Sequence, residues 1–485
     1  MIREEDRERY KMRTFFLLLV LASGFPSAYA QTRLPVLRSD QPVVSIQDGE
    51  NLKKNAWRLA PEVKPDIYQA ELIDGKTQKV TFFSGIDSIS FMVEEGKTYD
   101  FVIKFEGKEA YTRIIGKKFV PAAVFDEEYR RIHKGKVFVE IPEIYEMVNV
   151  AFALTPGQLK RNTLTAGETD YYKSLLPYFG KHLDHPFLTA LNQELIKDGS
   201  RYFPLKMDAY SFVFDKNGRI VQSPVYDRTS GRNANNLLPY LKLMQAFADD
   251  TGFRGFYRKN RQFYEGQISF FYRVLDIDEM LRWLGRNFPT AKEYDSFKIV
   301  FSPLVRGNQS VVWFESNGFR ELLMHVEFPY RSFEGVSEEA NLIYRGNILF
   351  TEMNHGFLNP ERAKYPDEIE SATSNRNFWV AKEKGPGYYA GNAQVFDEYM
   401  NWILVNLRYI DYVPDRDQQD KLIGNIDKMM VERRGFLQFA DFSKFLVEIY
   451  RNRKPDQTVS DLYPQIIKWF SERNRGSMND GSEEH

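Results

Sequence analysis

From Asp66 onward apolar and polar residues alternate in short runs: "DIYQAEL", "KVTFFS", "SISFMVE", "YDFVIKF" and "YTRIIG". Side chains of a strand point alternately to opposite faces, so this alternation predicts strands buried on one side. Turn-forming groups separate the runs: "DGK" at Asp74, "SGIDS" at Ser84, "EEGKT" at Glu94 and "EGKE" at Glu106. Five such strands read as antiparallel and predict a small β-sandwich over residues 61–118. No catalytic cluster lies in it, so it reads as a structural or docking module. Residues 31–60 show little periodicity and read as a lead-in.

After Val120 the spacing turns helical. "IPEIYEMVNVAFALT" carries a helical apolar face behind a proline. "GETDYYKSLLPYFGKHLDHPFLTALNQELIKDGS" predicts two helices around a corner at His182–Pro186. Two strand-like runs flank Asp215-Lys216-Asn217-Gly218, a strong hairpin signal. The oxygen ligands of a calcium loop do not continue past Gly218, so Asp215 and Asn217 are read as turn residues. Further helices are expected in "NLLPYLKLMQAFADDTG" and "FRGFYRKNRQFYEGQISFFYRVLDIDEMLRWLGRNFP", then strands in "FKIVFSPLV", "SVVWFES" and "RELLMHVEF". A helix around Glu352 follows, then a loop from Asn359 to Gly391, a long helix "NAQVFDEYMNWILVNLRYID", and at least two more helices. Residues 476–485 are expected to be a disordered tail. The fold class is thus α+β: a small N-terminal antiparallel β-sandwich, then a larger, mostly helical domain over 120–475.

The first thirty residues read as an address. A basic start at Met12-Arg13, the apolar run "FFLLLVLA" and the small residues Ala28 and Ala30 predict a signal peptide over 1–30 cleaved before Gln31, with Met12 an alternative start. No segment reaches the length of a membrane span. The chain has no cysteine, which excludes disulfides, thiolate chemistry and an acylated lipoprotein anchor. The expectation is a periplasmic or secreted protein. With 66 Lys+Arg against 67 Asp+Glu and no basic stripe, a nucleic-acid partner is not expected. Oligomeric state is not legible.

The candidate chemistry lies in "LFTEMNHGFLNP". In H-E-x-x-H helices, two histidines one turn apart hold zinc, and the glutamate takes a proton from the metal-bound water. Here Glu352 stands at the base position and His355 at the second ligand position, but Thr351 occupies the first, and a hydroxyl is a poor zinc ligand. In one large class the third ligand is a glutamate on a later helix, and Glu398 lies in such a helix. Its apolar neighbours require a positive partner, for which a metal or Arg408 would serve. His325, in a strand-like run, is a candidate replacement ligand. Tyr388 and Tyr389, in "GPGYYAGNA", could steady an oxyanion. His182, Asp184 and His185 form a weaker cluster at a helix boundary, Asn260 receives no role, and His133 and His485 look exposed. There is no G-x-S-x-G elbow and no phosphate-binding glycine loop.

From about Ile67 to Arg408 the chain resembles an uncharacterised family of exported bacterial zincin-like (gluzincin-type) proteins. The resemblance rests on the N-terminal block "DIYQAELIDGKTQKVTFFSGIDSISFMVEEGKTYDFVIKFEGKEAYTRI" and on "LFTEMNHGFLNP", similar to the family's H-E-F-S-H-x-F-V-N-P. It implies a zincin-like domain over 120–475, with His355 and Glu398 as metal ligands and Glu352 as base. It implies a zinc metallopeptidase-like protein acting on a peptide or protein. Because Thr351 departs from the pattern, the expectation is a degenerate site, weakly active or inactive as a hydrolase. The alternative is a non-catalytic peptide- or glycan-binding protein using the same cleft.

Overall fold

The computed structural model describes residues 34–480, apart from 74–75, 291–293, 308 and 389–390. The expected signal peptide, Tyr389 and His485 lie outside the described residues, as does the Tyr388 side chain. The fold is α+β, and the chain divides into two compact units between Val120 and Pro121.

The first unit holds two four-stranded sheets built from β1 (Val36–Arg38), β2 (Val43–Asp48), β3 (Asn51–Arg58), β4 (Asp66–Leu72), β5 (Gln78–Phe83), β6 (Ser88–Val93), β7 (Thr98–Phe105) and β8 (Lys108–Lys118). Their orders are β1-β7-β8-β4 and β3-β2-β5-β6. Antiparallel pairing prevails, but β1 runs parallel to β7 and β4 parallel to β8. Phe82, Tyr68, Phe101 and Trp57 meet edge to face in the core. The five runs of alternation are β4 to β8. The stretch read as a lead-in instead supplies β1 to β3, and Leu37, Val44 and Ile46 enter the core. Its periodicity is hidden for physical reasons: β1 is short, β3 is an almost wholly exposed edge, and the β2–β3 register shifts between Val44 and Ile46. Such a shift puts neighbouring residues out of phase with the pleat.

In the second unit, β9 (Lys136–Glu140), β12 (Ser296–Ser302), β13 (Ser310–Ser316) and β14 (Phe319–Glu327) form a sheet of order β13-β14-β12-β9. β9, β12 and β14 are parallel, and β13 is an antiparallel edge. β14 is buried along nearly its whole length, as a central strand covered on both faces must be. β10 (Phe212–Phe214) and β11 (Ile220–Gln222) are the expected hairpin. Gly218 has φ +79°, and Asp215 Oδ1 accepts the backbone N–H groups of Asn217 and Arg219 at 2.8 Å, which is a turn.

Helices make up most of the rest of this unit. The first helix expected before His182 is broken into Asp170–Lys173, Leu175–Phe179 and a 3-10 turn, Gly180–His182. The expected loop from Asn359 to Gly391 is largely helical. The motif helix continues through Pro360 to Arg362, and Pro366–Ala372 and Arg376–Trp379 follow. Pro360 lies in the last turn and cannot donate to the Gly356 carbonyl, and the helix ends two residues later at Arg362. Residues 476–480 of the expected tail are helical instead, since the last helix runs Val459–Asp480, and 481–485 lie outside the described residues. Helix propagation adds one hydrogen bond per residue, so a polar end continues once nucleated.

Candidate functional site

The motif helix, Asn347–Arg362, lies against β14 and antiparallel to the helix Asn392–Tyr412. Cross-links set its register. The Asn347 amide donates to the Tyr409 hydroxyl, Asn354 Nδ2 to the Asn401 carbonyl at 3.1 Å, and Arg362 Nε meets Asp397 Oδ1 at 2.9 Å. Gly356 faces Tyr294 so closely that a Cβ would lie 2.8 Å from the ring.

This packing brings the expected residues together. His355 Nε2 lies 3.8 Å from Glu398 Oε1, and each side chain is 17% exposed. Half-buried Glu352 is one turn away, close enough for the Glu398 charge to act on it. Burial, then that charge, pushes the Glu352 carboxyl up to about 8. Burial holds the His355 imidazole below its usual range, and Glu398 only partly offsets this. At neutral pH Glu352 is therefore mostly protonated and His355 neutral.

The donors that a metal would need are otherwise engaged. Glu398 Oε2 accepts from Arg434 Nη2 at 2.8 Å, so its cationic partner is Arg434 and not Arg408. Arg408 points instead toward Glu279, 3.8 Å away. Asn401 Nδ2 lies 3.0 Å from His355 Nε2 and occupies its lone pair. Thr351 Oγ1 turns back onto the Ile348 carbonyl at 2.8 Å. Among the described residues no group of three or more His, Asp or Glu could hold a metal ion. The residues present do not fit a zinc ion, because both candidate ligands already have partners and the nearest cation is an arginine.

His325 does not supply the missing ligand. It is fully buried in β14, stacked on Tyr145 with ring centroids 5.4 Å apart, and among the described residues neither ring nitrogen has a hydrogen-bond partner. Strand geometry explains this, since β14 presents His325 into packed aromatic rings. His185 caps the helix Pro186–Lys197, accepting from Phe187 N at 3.1 Å, and its Nε2 meets Asp250 at 3.4 Å. Asn260 caps a helix through the Phe256 carbonyl. His133 is half-buried, its ring stacked on Tyr129 at 3.7 Å.

Three residues at the site escaped the sequence reading: Arg434, Asn401 and Lys206. Arg434 ends a π-helical turn, Met429–Arg434, stopped by Gly435 at φ +85°. Its guanidinium sits over Trp402 at 5.2 Å and Phe436 at 5.4 Å. The run "ERRG" before a glycine was the available signal. Asn401 is one turn beyond Glu398 on the same face. Lys206 is fully buried, and burial brings its ammonium down to about 7 although Glu352 and Glu327 favour its charge.

Beside this cluster opens a cavity of about 950 Å³. Arg434, Trp402 and Ile348 join it to the motif helix, and Phe328, Tyr330 and Tyr344 form much of its apolar wall. Among the described residues no helix is long and apolar enough to cross a membrane. Comparison with known proteins finds no matching family model, no similar curated protein and no solved structure of similar fold.

Proposed function

We propose that this chain is an exported, metal-independent peptide-binding protein built on a zincin-like frame, with an arginine in place of the metal. The observation that carries the proposal is the 2.8 Å bond from Arg434 to Glu398, the residue that the family resemblance makes the third zinc ligand. A guanidinium satisfies that carboxylate as a cation would, and it does so without a Lewis-acid centre. Two further features support the reading. Glu352, with its carboxyl near 8, is a poor base at neutral pH. The adjoining cavity, at about 950 Å³, is at the large end for ligand sites.

Zinc titration of the purified protein by calorimetry tests the proposal. The expected result is no saturable binding tighter than roughly 10 μM, a free energy well short of structural zinc sites. One zinc bound per chain at nanomolar affinity, together with peptide cleavage lost in Glu352→Gln, would establish the hydrolase reading instead.

A further inference from the structure

We infer that the cavity beside the motif helix selects acidic peptides carrying large apolar side chains; this rests on the peptide-binding reading above and names its ligand. Six cationic side chains line the cavity: Arg306, Arg331, Arg345, Lys428, Arg433 and Arg434. Among the described residues three carboxylates do: Glu168, Glu327 and Glu432. Four of the cations have an acid in reach. Arg306 meets Glu168 at 2.9 Å, Arg345 meets Glu338 at 3.4 Å, Lys428 reaches Glu432 at 4.0 Å, and Arg434 holds Glu398. Arg331 and Arg433 have no carboxylate partner among the described residues, and both are exposed. Glu327 accepts a hydrogen bond from the Gly307 N–H at 2.6 Å, which leaves two cations without a carboxylate partner against this one acid. The wall therefore presents an excess of positive charge, which favours anions and speeds their arrival.

The uncommitted polar groups in this wall point the same way. Gln309 Nε2 and Arg345 Nε are buried donors with no hydrogen-bond partner among the described residues. Buried donors without acceptors are costly, and a ligand offering carbonyl or carboxylate oxygens would satisfy them. The other part of the lining is apolar: Phe328, Tyr330, Tyr344, Trp402 and Met429. A sulfated glycan would meet the arginines but has no apolar side chains to cover those rings. A fatty acid has a single anionic head, whereas these cations come from separate elements: the stretch after β14, the end of the helix Glu338–Arg345, and the π-turn. A chain with anionic and apolar groups at intervals matches both.

The test uses the full-length protein and a fluorescein-labelled ten-residue peptide alternating Glu with Phe and Leu, read by fluorescence anisotropy. A second peptide carries Lys in place of every Glu, and a sulfated glycan fragment serves as competitor. The acidic peptide is expected to bind at least tenfold tighter than the lysine peptide. Its affinity should fall tenfold or more in an Arg331→Glu, Arg433→Glu variant whose thermal melt matches the parent, and fall again with added salt. Equal binding of both peptides, or an unchanged affinity in the variant, overturns the acidic preference while leaving peptide binding intact. Displacement of the acidic peptide by the glycan at lower concentration than by unlabelled peptide overturns the choice of a peptide. Mass spectrometry of the peptide after incubation with and without zinc separates the two levels: cleavage overturns metal-independent binding but not the charge preference. No binding of either peptide overturns both.

Discussion

Replacing Glu352 with glutamine isolates the cost of its ionisation. The amide resembles the protonated carboxyl in shape and cannot ionise. In the folded protein the Glu352 carboxyl titrates near 8, against 4.5 for an unperturbed glutamate. Between those values the folded state binds a proton that the unfolded chain has released, so parent stability falls as pH rises through the window. One pH unit corresponds to about 1.36 kcal/mol, which makes the full interval worth roughly 5 kcal/mol. Water penetration and relaxation around a half-buried group reduce this, and about 2–4 kcal/mol is expected. Urea unfolding of parent and Glu352→Gln at pH 5, 7 and 9 measures it. Tryptophan fluorescence follows the second unit, because five of the six tryptophans, all but Trp57, lie there. The stability difference between the proteins should shift by about 2–4 kcal/mol in favour of the variant from pH 5 to pH 9. A difference constant to within about 0.5 kcal/mol would refute the raised carboxyl, and with it the argument that Glu352 is a poor base at neutral pH.

Two substitutions probe the packing that positions the site. Gly356→Ala should destabilise by about 1–3 kcal/mol in denaturant unfolding, although alanine normally favours a helix, because its methyl would lie 2.8 Å from the Tyr294 ring. Gly435→Ala should cost about 1–2 kcal/mol at its φ of +85° and, by shifting the π-turn, weaken the Arg434–Glu398 pair; thermal melts at low and high salt should show a smaller salt sensitivity than the parent.

What was legible in the sequence follows from how locally each feature is encoded. The strands β4 to β8 alternate cleanly because one face of each meets the core. β2 does not, because its register shifts within the strand. The convergence of His355 and Glu398 was expected from the zinc-helix motif and the family resemblance; periodicity alone would not have oriented the second helix, which is buried all round from Tyr399 to Tyr409. Arg434 was not. It reaches Glu398 only because a π-turn rotates the chain before Gly435, and no periodicity of 3.6 anticipates that rotation. Lys206 lies far along the chain in another short helix, and its effect on Glu352 is a matter of tertiary placement alone.

The arginine does more than pair with one acid. Glu352 and Glu398 are neighbouring carboxyls, and two such groups do not both ionise cheaply. Arg434 lowers the cost for each, directly through its bond to Glu398 and at longer range for Glu352. Without it, Glu398 would lose its closest cation. Arg434 bonds one of the two acids directly, Glu398, while burial and the Glu398 charge push the Glu352 carboxyl up to about 8, so Glu352 keeps its proton at neutral pH. That division leaves a buried hydrogen-bond donor where a metallopeptidase needs an acceptor, so the geometry of the frame can persist after its chemistry has been exchanged for binding.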